Sequence, residues 1–428
     1  MKSIMDILDE VEQTADENRQ EGLVYCAGDW YRKLPSGLWV AVTQQMATQF
    51  LKRDGFGKGD ASDEKSASYQ LTRIIEEKSV VYAGRLAGWP AGIHESNGKL
   101  FLVTETKPVP EARQGQCPNL QAIMEGLLGG FQWSLFKCWL RRRRESLIHQ
   151  QHKKGQAVVL FGKIGCGKSF TQALVSAAIG GSTTKPWRYM AGKTEFNADL
   201  AAAEHLMIED EAPYNDIQSR RSVGSKIKSM LYGDIQSIHG KGLNAVPLEP
   251  RWTLTISLND EPENMRVLPP LDDSVSDKIM IFKCTQHGVN APNGRQQREW
   301  QEELLRTELP ALLWEIDHAE IPDGWHDPRS GVLAYQHPDA LEMLQSSSPE
   351  QALLELIVAH IDQPTWEGSA ADLERQLRGK DQRAMDHLAK WSNAVATYLG
   401  RIMRLKPDAV ESFHTKAGNR WRINVAML

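Results

Sequence analysis

The stretch that decides the fold runs Ala157-Val-Val-Leu-Phe-Gly162-Lys-Ile-Gly165-Cys166-Gly167-Lys168-Ser169. Its first five residues form an apolar run of strand length, and Phe170 to Ile179 read as a helix. Between them, Gly162–Ser169 fits G-x-x-x-x-G-K-[ST], a phosphate-binding loop. Glycines there let a phosphate approach the backbone closely, and the helix that follows aims its N-terminus at the anion. Backbone N–H groups are predicted around the α- and β-phosphates, the Lys168 ammonium on the β/γ oxygens and the Ser169 hydroxyl on Mg²⁺. The predicted ligands are therefore ATP and Mg²⁺, held by Gly162, Gly165, Cys166, Gly167, Lys168, Ser169 and Phe170.

Hydrolysis needs carboxylates at the end of a second apolar strand. Leu206-Met207-Ile208-Glu209-Asp210-Glu211 supplies them. Asp210 is expected to hold Mg²⁺ through water and Glu211 to polarise the attacking water, since phosphoryl transfer rests on positioned charge and an in-line nucleophile. Glu209 leaves that register open by one residue. A third apolar run, Trp252 to Leu258, ends in Asn259, a polar amide placed to sense the γ-phosphate. Between the second and third runs, Tyr232 to Pro250 reads as a hairpin with His239-Gly240-Lys241-Gly242 at its tip. A tip carrying His239 and Lys241 suits nucleic-acid phosphates.

The 428 residues are 41% hydrophobic and 25% charged, which is ordinary soluble material with enough length for two or three domains. No run of eighteen apolar residues occurs, and the start Met1-Lys-Ser-Ile-Met-Asp6 lacks the apolar core of a signal peptide, so a cytoplasmic location and no membrane partner are expected. Five scattered cysteines without C-x-x-C spacing predict free thiols and no zinc. A net charge of −5 places any DNA contact in local patches. The run Arg141–Arg144 reads as the solvated side of a helix whose buried side carries Trp139 and Leu147.

Along the chain, Met1 to Glu17 has the spacing of a short amphipathic helix. Strand-like runs then turn at Pro35-Ser36-Gly37 and Asn97-Gly98, and a helical stretch from Leu120 to Ile148 leads into the loop. This divides the protein into an α+β N-terminal region at 1–150, an α/β phosphate-loop ATPase core with a parallel sheet at 151–320, and a C-terminal domain at 329–428. In the last, helical runs at Pro349–His360, Ala370–Leu377 and Asn393–Leu405 precede strands at Val410–His414 and Arg420–Val425, the order of a winged helix. Its Lys416 and Arg420 are candidates for phosphate contact.

The order of loop, acidic strand, hairpin and sensor strand between Gly162 and Asn259 resembles the superfamily 3 helicases, AAA+-type ATPases of small DNA viruses, phages and plasmids. The segment from Gly233 to Asn259 is most similar to phage and plasmid primase-helicases. That resemblance implies an ATP-dependent helicase acting in replication of a phage, plasmid or mobile element, working in a bacterial host cell as a ring, usually a hexamer, with single-stranded DNA in its channel. It assigns Lys168 and Ser169 to the loop, Asp210 and Glu211 to the acidic pair, Asn259 to the sensor, and His239 and Lys241 to the channel. Family members carry an arginine finger where this chain has Lys278; Arg266, then Arg220 and Arg221, compete for the trans-acting role. About 150 residues precede the ATPase without a paired-aspartate metal motif, so primer synthesis would fall to another chain. The alternative is a nucleic-acid-responsive ATPase switch, as in anti-phage defence, which shares every motif above and assembles without unwinding.

Overall fold

The structure, a computed structural model, describes residues 22–96, 98–209, 217–240, 245–292, 294–346, 348–416 and 418–428. The expected Met1–Glu17 helix and the residues Asn97, Asp210, Glu211, Lys241, Gly242 and Ala417 lie outside them. The protein is mixed α/β and divides into two compact units, one reaching Asn259 and resuming over Leu268–Tyr335, the other made of Asp260–Val267 and Gln336–Leu428. Among the described residues no helix is long and apolar enough to cross a membrane.

The first unit opens with an antiparallel meander of β1 (Leu23–Cys26), β2 (Asp29–Lys33) and β3 (Trp39–Val42). A second small sheet joins β4 (Ala83–Gly84), β5 (Gly92–Ser96) and β6 (Lys99–Val103), with β5 and β6 paired antiparallel across the predicted Asn97-Gly98 turn. Arg85 staples this front region to the part that carries the parallel sheet by pairing with the buried Glu204, and the Trp89 indole donates to the Glu249 carbonyl at 2.7 Å.

At the centre lies a five-stranded parallel sheet of β7 (Ala157–Gly162), β8 (Thr183–Thr184), β9 (His205–Glu209), β12 (Thr253–Leu258) and β13 (Ile279–Cys284). The spatial order is β13-β7-β12-β9-β8. Between β9 and β12, the chain makes a separate two-stranded ribbon, β10 (Gln236–Ile238) with β11 (Val246–Leu248). Every residue of β7 and β12 is buried, as expected for central strands covered on both faces. The sensor strand thus lies between the loop strand and the acidic strand. Pairing of Leu258 with Phe161, and of Ser257 with Glu209, brings the carboxyl ends of the three strands level.

One face of the sheet is covered by the lead-in helix Pro118–Ile148, which is interrupted at Gly129, where φ is 71°. Trp133, Phe136 and Trp139 of this helix pack with Phe282, Leu312 and Leu313 into the main core. The Gln132 side chain accepts from Lys283 N–H and donates to Lys283 C=O, so an amide stands in for a neighbouring strand along the edge strand β13. Tyr335 C=O accepts from Ile281 N–H in the same way.

The arginine run corrects the reading of a solvated face. Arg143 and Arg144 are buried, and the Arg144 guanidinium grips Asp317 with two bonds of 2.7 and 2.8 Å while donating to the carbonyls of Ala178 and Pro110. Arg143 donates to the Lys154 carbonyl, and burial pulls its pKa down to about 10. Arg144 thus joins the lead-in helix to the ends of the loop helix and of helix Leu309–Asp317, and Arg143 ties it to the segment before β7, so both charges serve packing.

In the second unit, helices Pro349–His360, Ala370–Lys380, Gln382–Leu388 and Ala394–Leu405 surround one core with Trp366, Trp421 and Ile423. An antiparallel sheet runs β14 (Thr365–Gly368), β16 (Gly418–Asn424), β15 (Val410–Thr415). Strand β14 leaves no signal in the sequence, because Thr-Trp-Glu-Gly is too short to show a period. Arg422 is neutralised locally by Glu367 and Glu411, whereas Lys416 is exposed.

Removing one partner of the Arg144 pair strands a desolvated guanidinium. Asp317→Ala is expected to lower the unfolding free energy by roughly 3 kcal/mol, read as a lower urea midpoint at unchanged slope; a change below about 0.5 kcal/mol would mean that the pair is not a structural tie.

Candidate nucleotide site

Strand β7 delivers its chain directly into the loop, and the helix Lys168–Ala178 begins within it. Gly165 and Gly167 have φ of 76° and 121°, conformations that L side chains rarely adopt. A Cβ on Gly162 would overlap the Cys284 carbonyl oxygen of β13. Glycine is thus required in this loop both by backbone conformation and by close packing. A Cβ on Gly167 would also sit 3.2 Å from Leu127 Cδ1 and 3.6 Å from His287 Cδ2. The lead-in helix and the segment after β13 therefore roof the loop.

Lys168 is buried, and its ammonium donates to three oxygens: Gly162 C=O at 2.7 Å, Lys163 C=O at 2.9 Å and Asn259 Oδ1 at 3.2 Å. The predicted sensor, one residue past β12, therefore touches the predicted loop lysine. Ser169 follows on the helix with an exposed side chain, and Phe170 turns into the core. Cys166 accepts a hydrogen bond from Cys284, which holds the Cys166 thiol below its ordinary value despite burial, with the Lys168 charge adding to the effect. The same bond, together with burial, pushes Cys284 well up. These residues fit a magnesium nucleotide: glycines leave a cradle that a Cβ would fill, a buried ammonium ends in it, and an exposed hydroxyl stands at its rim.

Glu209 closes β9 on the acidic side, 3.7 Å from the Lys185 ammonium. Asp210 and Glu211, the predicted metal and water residues, lie outside the described residues, as does Lys241. His239 is fixed just after β10: its N–H donates to Asn197 Oδ1 at 2.7 Å, and Asn197 Nδ2 donates to Ser237 C=O at 3.0 Å. The Phe196 ring lies 5.1 Å from the His239 ring and is exposed. Asn197 and Phe196 escape a reading of the sequence because a lone Phe-Asn in a polar loop carries no pattern.

The trans-acting candidates differ in what their charges already do. Lys278 pairs with Asp277 at 2.5 Å, lies 4.8 Å from the Tyr232 ring centroid and has a side chain only 12% exposed. Arg220 donates to Leu268 C=O at 3.1 Å, while Arg221 on the same helix Ile217–Tyr232 is exposed. Arg266 is exposed in a turn of the second unit, at Asn264–Val267.

No protein-family model matches the chain, and no curated protein matches it. Solved structures do. An apo A form of the NrS-1 C-terminal region aligns over 96% of this chain and 98% of its own, with TM-score 0.56 and 11% identity. A second apo structure of that region, residues 305–718, gives TM-score 0.54 and 12% identity over 96% of this chain. The shared feature is the fold, across nearly the whole length. A structure of JCV helicase with a bound small molecule overlaps 56% of the chain at TM-score 0.26, a level that decides nothing.

Gly167→Ala would force φ of 121° on a residue with a side chain, at a cost of about 1–3 kcal/mol. The expected outcome is a lower melting temperature and weakened ATP binding, measured by equilibrium dialysis with Mg²⁺. Wild-type affinity in this variant would mean that the loop does not seat the phosphates.

Proposed function

We propose that the protein is an ATP-dependent DNA helicase of the superfamily 3 type, acting as a ring, with six subunits the family's usual number, in replication of a phage, plasmid or mobile element. The observation that carries this is the bond from Lys168 to Asn259, which ties the cation of a phosphate loop to the amide at the end of the adjacent strand. A lysine so placed reports to Asn259 whether a γ-phosphate is present, because phosphate oxygens and Asn259 Oδ1 compete for the same three N–H groups.

Within this reading, Gly165, Cys166, Gly167 and Phe170 offer backbone N–H groups to phosphate, Lys168 supplies charge, and Ser169 with Asp210 would hold Mg²⁺. The metal, when bound, neutralises charge on the β- and γ-oxygens. Glu211 orients and deprotonates water. Exposed Arg266 and Arg221 are better free than Lys278 or Arg220 to reach a neighbouring subunit's nucleotide, since both of the latter are engaged within their own chain. Arginine's planar fork also suits that task.

The β10–β11 ribbon is the proposed DNA grip, with Lys241 and His239 at its tip and Phe196 beside it as a stacking surface. Several copies of Lys241 around a channel concentrate positive potential that a net charge of −5 does not forbid. The second unit is read as a winged helix whose Lys416 and Arg420 face DNA or a protein partner.

The test is strand separation on a forked duplex with Mg²⁺ and ATP. Wild type is expected to unwind it and Lys168→Ala to lose both turnover and unwinding. DNA-stimulated turnover without strand separation would replace the helicase reading with the switch reading. A second expectation concerns salt: Lys241→Ala should flatten the log–log dependence of single-strand binding by about 0.7 for each lysine–phosphate pair removed. An unchanged slope would remove the ribbon from DNA binding.

A further inference from the structure

Beneath the phosphate loop, the packing of the helix Lys168–Ala178 on the sheet includes the buried polar side chains Gln172, Ser176, His205 and Thr255. Gln172 Nε2 donates to Thr255 Oγ1 at 2.9 Å and lies 3.3 Å from Ile208 C=O. Thr255 Oγ1 is 2.8 Å from His205 Nε2, and His205 Nδ1 is 2.7 Å from Ser176 Oγ. Ser176 Oγ donates to the Gln172 carbonyl at 3.0 Å, which closes a ring.

Each hydroxyl has one proton, so with a neutral imidazole a single arrangement satisfies all of these bonds. The Gln172 amide gives to Thr255, Thr255 to His205 Nε2, His205 Nδ1–H to Ser176, and Ser176 to the Gln172 carbonyl. Burial keeps the imidazole neutral by pushing its pKa down to about 3, and it is the neutral ring that this arrangement fits. The ring spans three elements. Gln172 is one turn beyond Ser169 on the loop helix. His205 begins β9, whose last residue, Glu209, precedes the acidic pair. Thr255 lies on β12, four residues before Asn259.

Apolar packing alone would fill the same space with fewer demands, since Leu and Met of similar volume bury no polar atoms. Instead Gln172 Oε1 is buried with no hydrogen-bond partner among the described residues. An orphaned acceptor costs stability, so its retention calls for something other than stability. Directional bonds fix the register of helix against strands, which apolar contacts leave free to slide.

We infer that Gln172 is a positioning residue for ATP hydrolysis, acting through the Thr255–His205–Ser176 ring to hold the loop helix in register with the acidic strand and the sensor strand. This rests on the ATPase reading above. The ring sets where Ser169 stands relative to the residues after Glu209, and where Lys168 meets Asn259. None of its four side chains belongs to the phosphate loop's nucleotide-facing residues or to the carboxylates after β9, so its loss should spare binding and slow turnover.

The experiment compares full-length wild type, Gln172→Met, Thr255→Val and Thr255→Ser for melting temperature, kcat and KM for ATP with Mg²⁺ and a single-stranded oligonucleotide. Gln172→Met is expected to melt at or above the wild-type temperature, keep KM within about two-fold and lose kcat by about ten-fold. Thr255→Val should lose kcat likewise, and Thr255→Ser, which keeps the hydroxyl, should retain it. Wild-type kcat in Gln172→Met, or a kcat loss that only follows a fall in folded protein, overturns the inference. Should Gln172→Met fail to fold, the threonine pair decides: equal kcat in Val and Ser variants overturns it, and a loss confined to Val supports it. A wild type without turnover, or one matched by Lys168→Ala, sinks the ATPase reading and this inference with it.

Discussion

The Lys168 ammonium has three protons and three oxygen acceptors, and one of those oxygens, on Asn259, lies 91 residues further along the chain. A buried ammonium is costly unless each proton is satisfied. The rest of the first unit can be understood from that requirement. Two acceptors come from the loop itself and need only its tight path. The third needs a strand running parallel to β7, directly beside it and ending level with it, which β12 provides through the pairing of Leu258 with Phe161.

Placing β12 there displaces the acidic strand β9 by one position, so that the carboxylate end faces the loop across the sensor. The crossovers needed for such an order carry their own cargo. The return from β9 to β12 includes helix Ile217–Tyr232 and the β10–β11 ribbon, and Asn197 pins that ribbon where it leaves β10. The roof over the loop comes from outside this sheet, from Leu127 on the lead-in helix and His287 after β13.

Much of this is legible in the residues. Loop, acidic strand and sensor strand announce themselves because short runs rich in apolar residues end in glycine, carboxylate or amide, and each is a strand of the parallel sheet. Strand order is not legible, since β-pairing between distant segments leaves no local trace. Buried polar groups mislead for a related reason: Arg143 and Arg144 look like surface in a pattern of charges, and only Asp317 and the carbonyls of Ala178 and Lys154 show why they are inside. Gln172 and His205 likewise look ordinary alone and acquire meaning only when Thr255 stands between them. Lys278 occupies the finger position in sequence, yet Asp277 and Tyr232 already hold its charge.

The central claim is that the Lys168 ammonium exchanges loop carbonyls for phosphate oxygens while Asn259 reads the exchange. A structure determined with Mg²⁺ and a non-hydrolysable ATP analogue tests it most directly. The account predicts Lys168 Nζ on a β- or γ-phosphate oxygen, released from Gly162 and Lys163, with the Asn259 amide at the γ-phosphate. Nucleotide bound elsewhere, with Lys168 still donating to both carbonyls and Asn259, would contradict it.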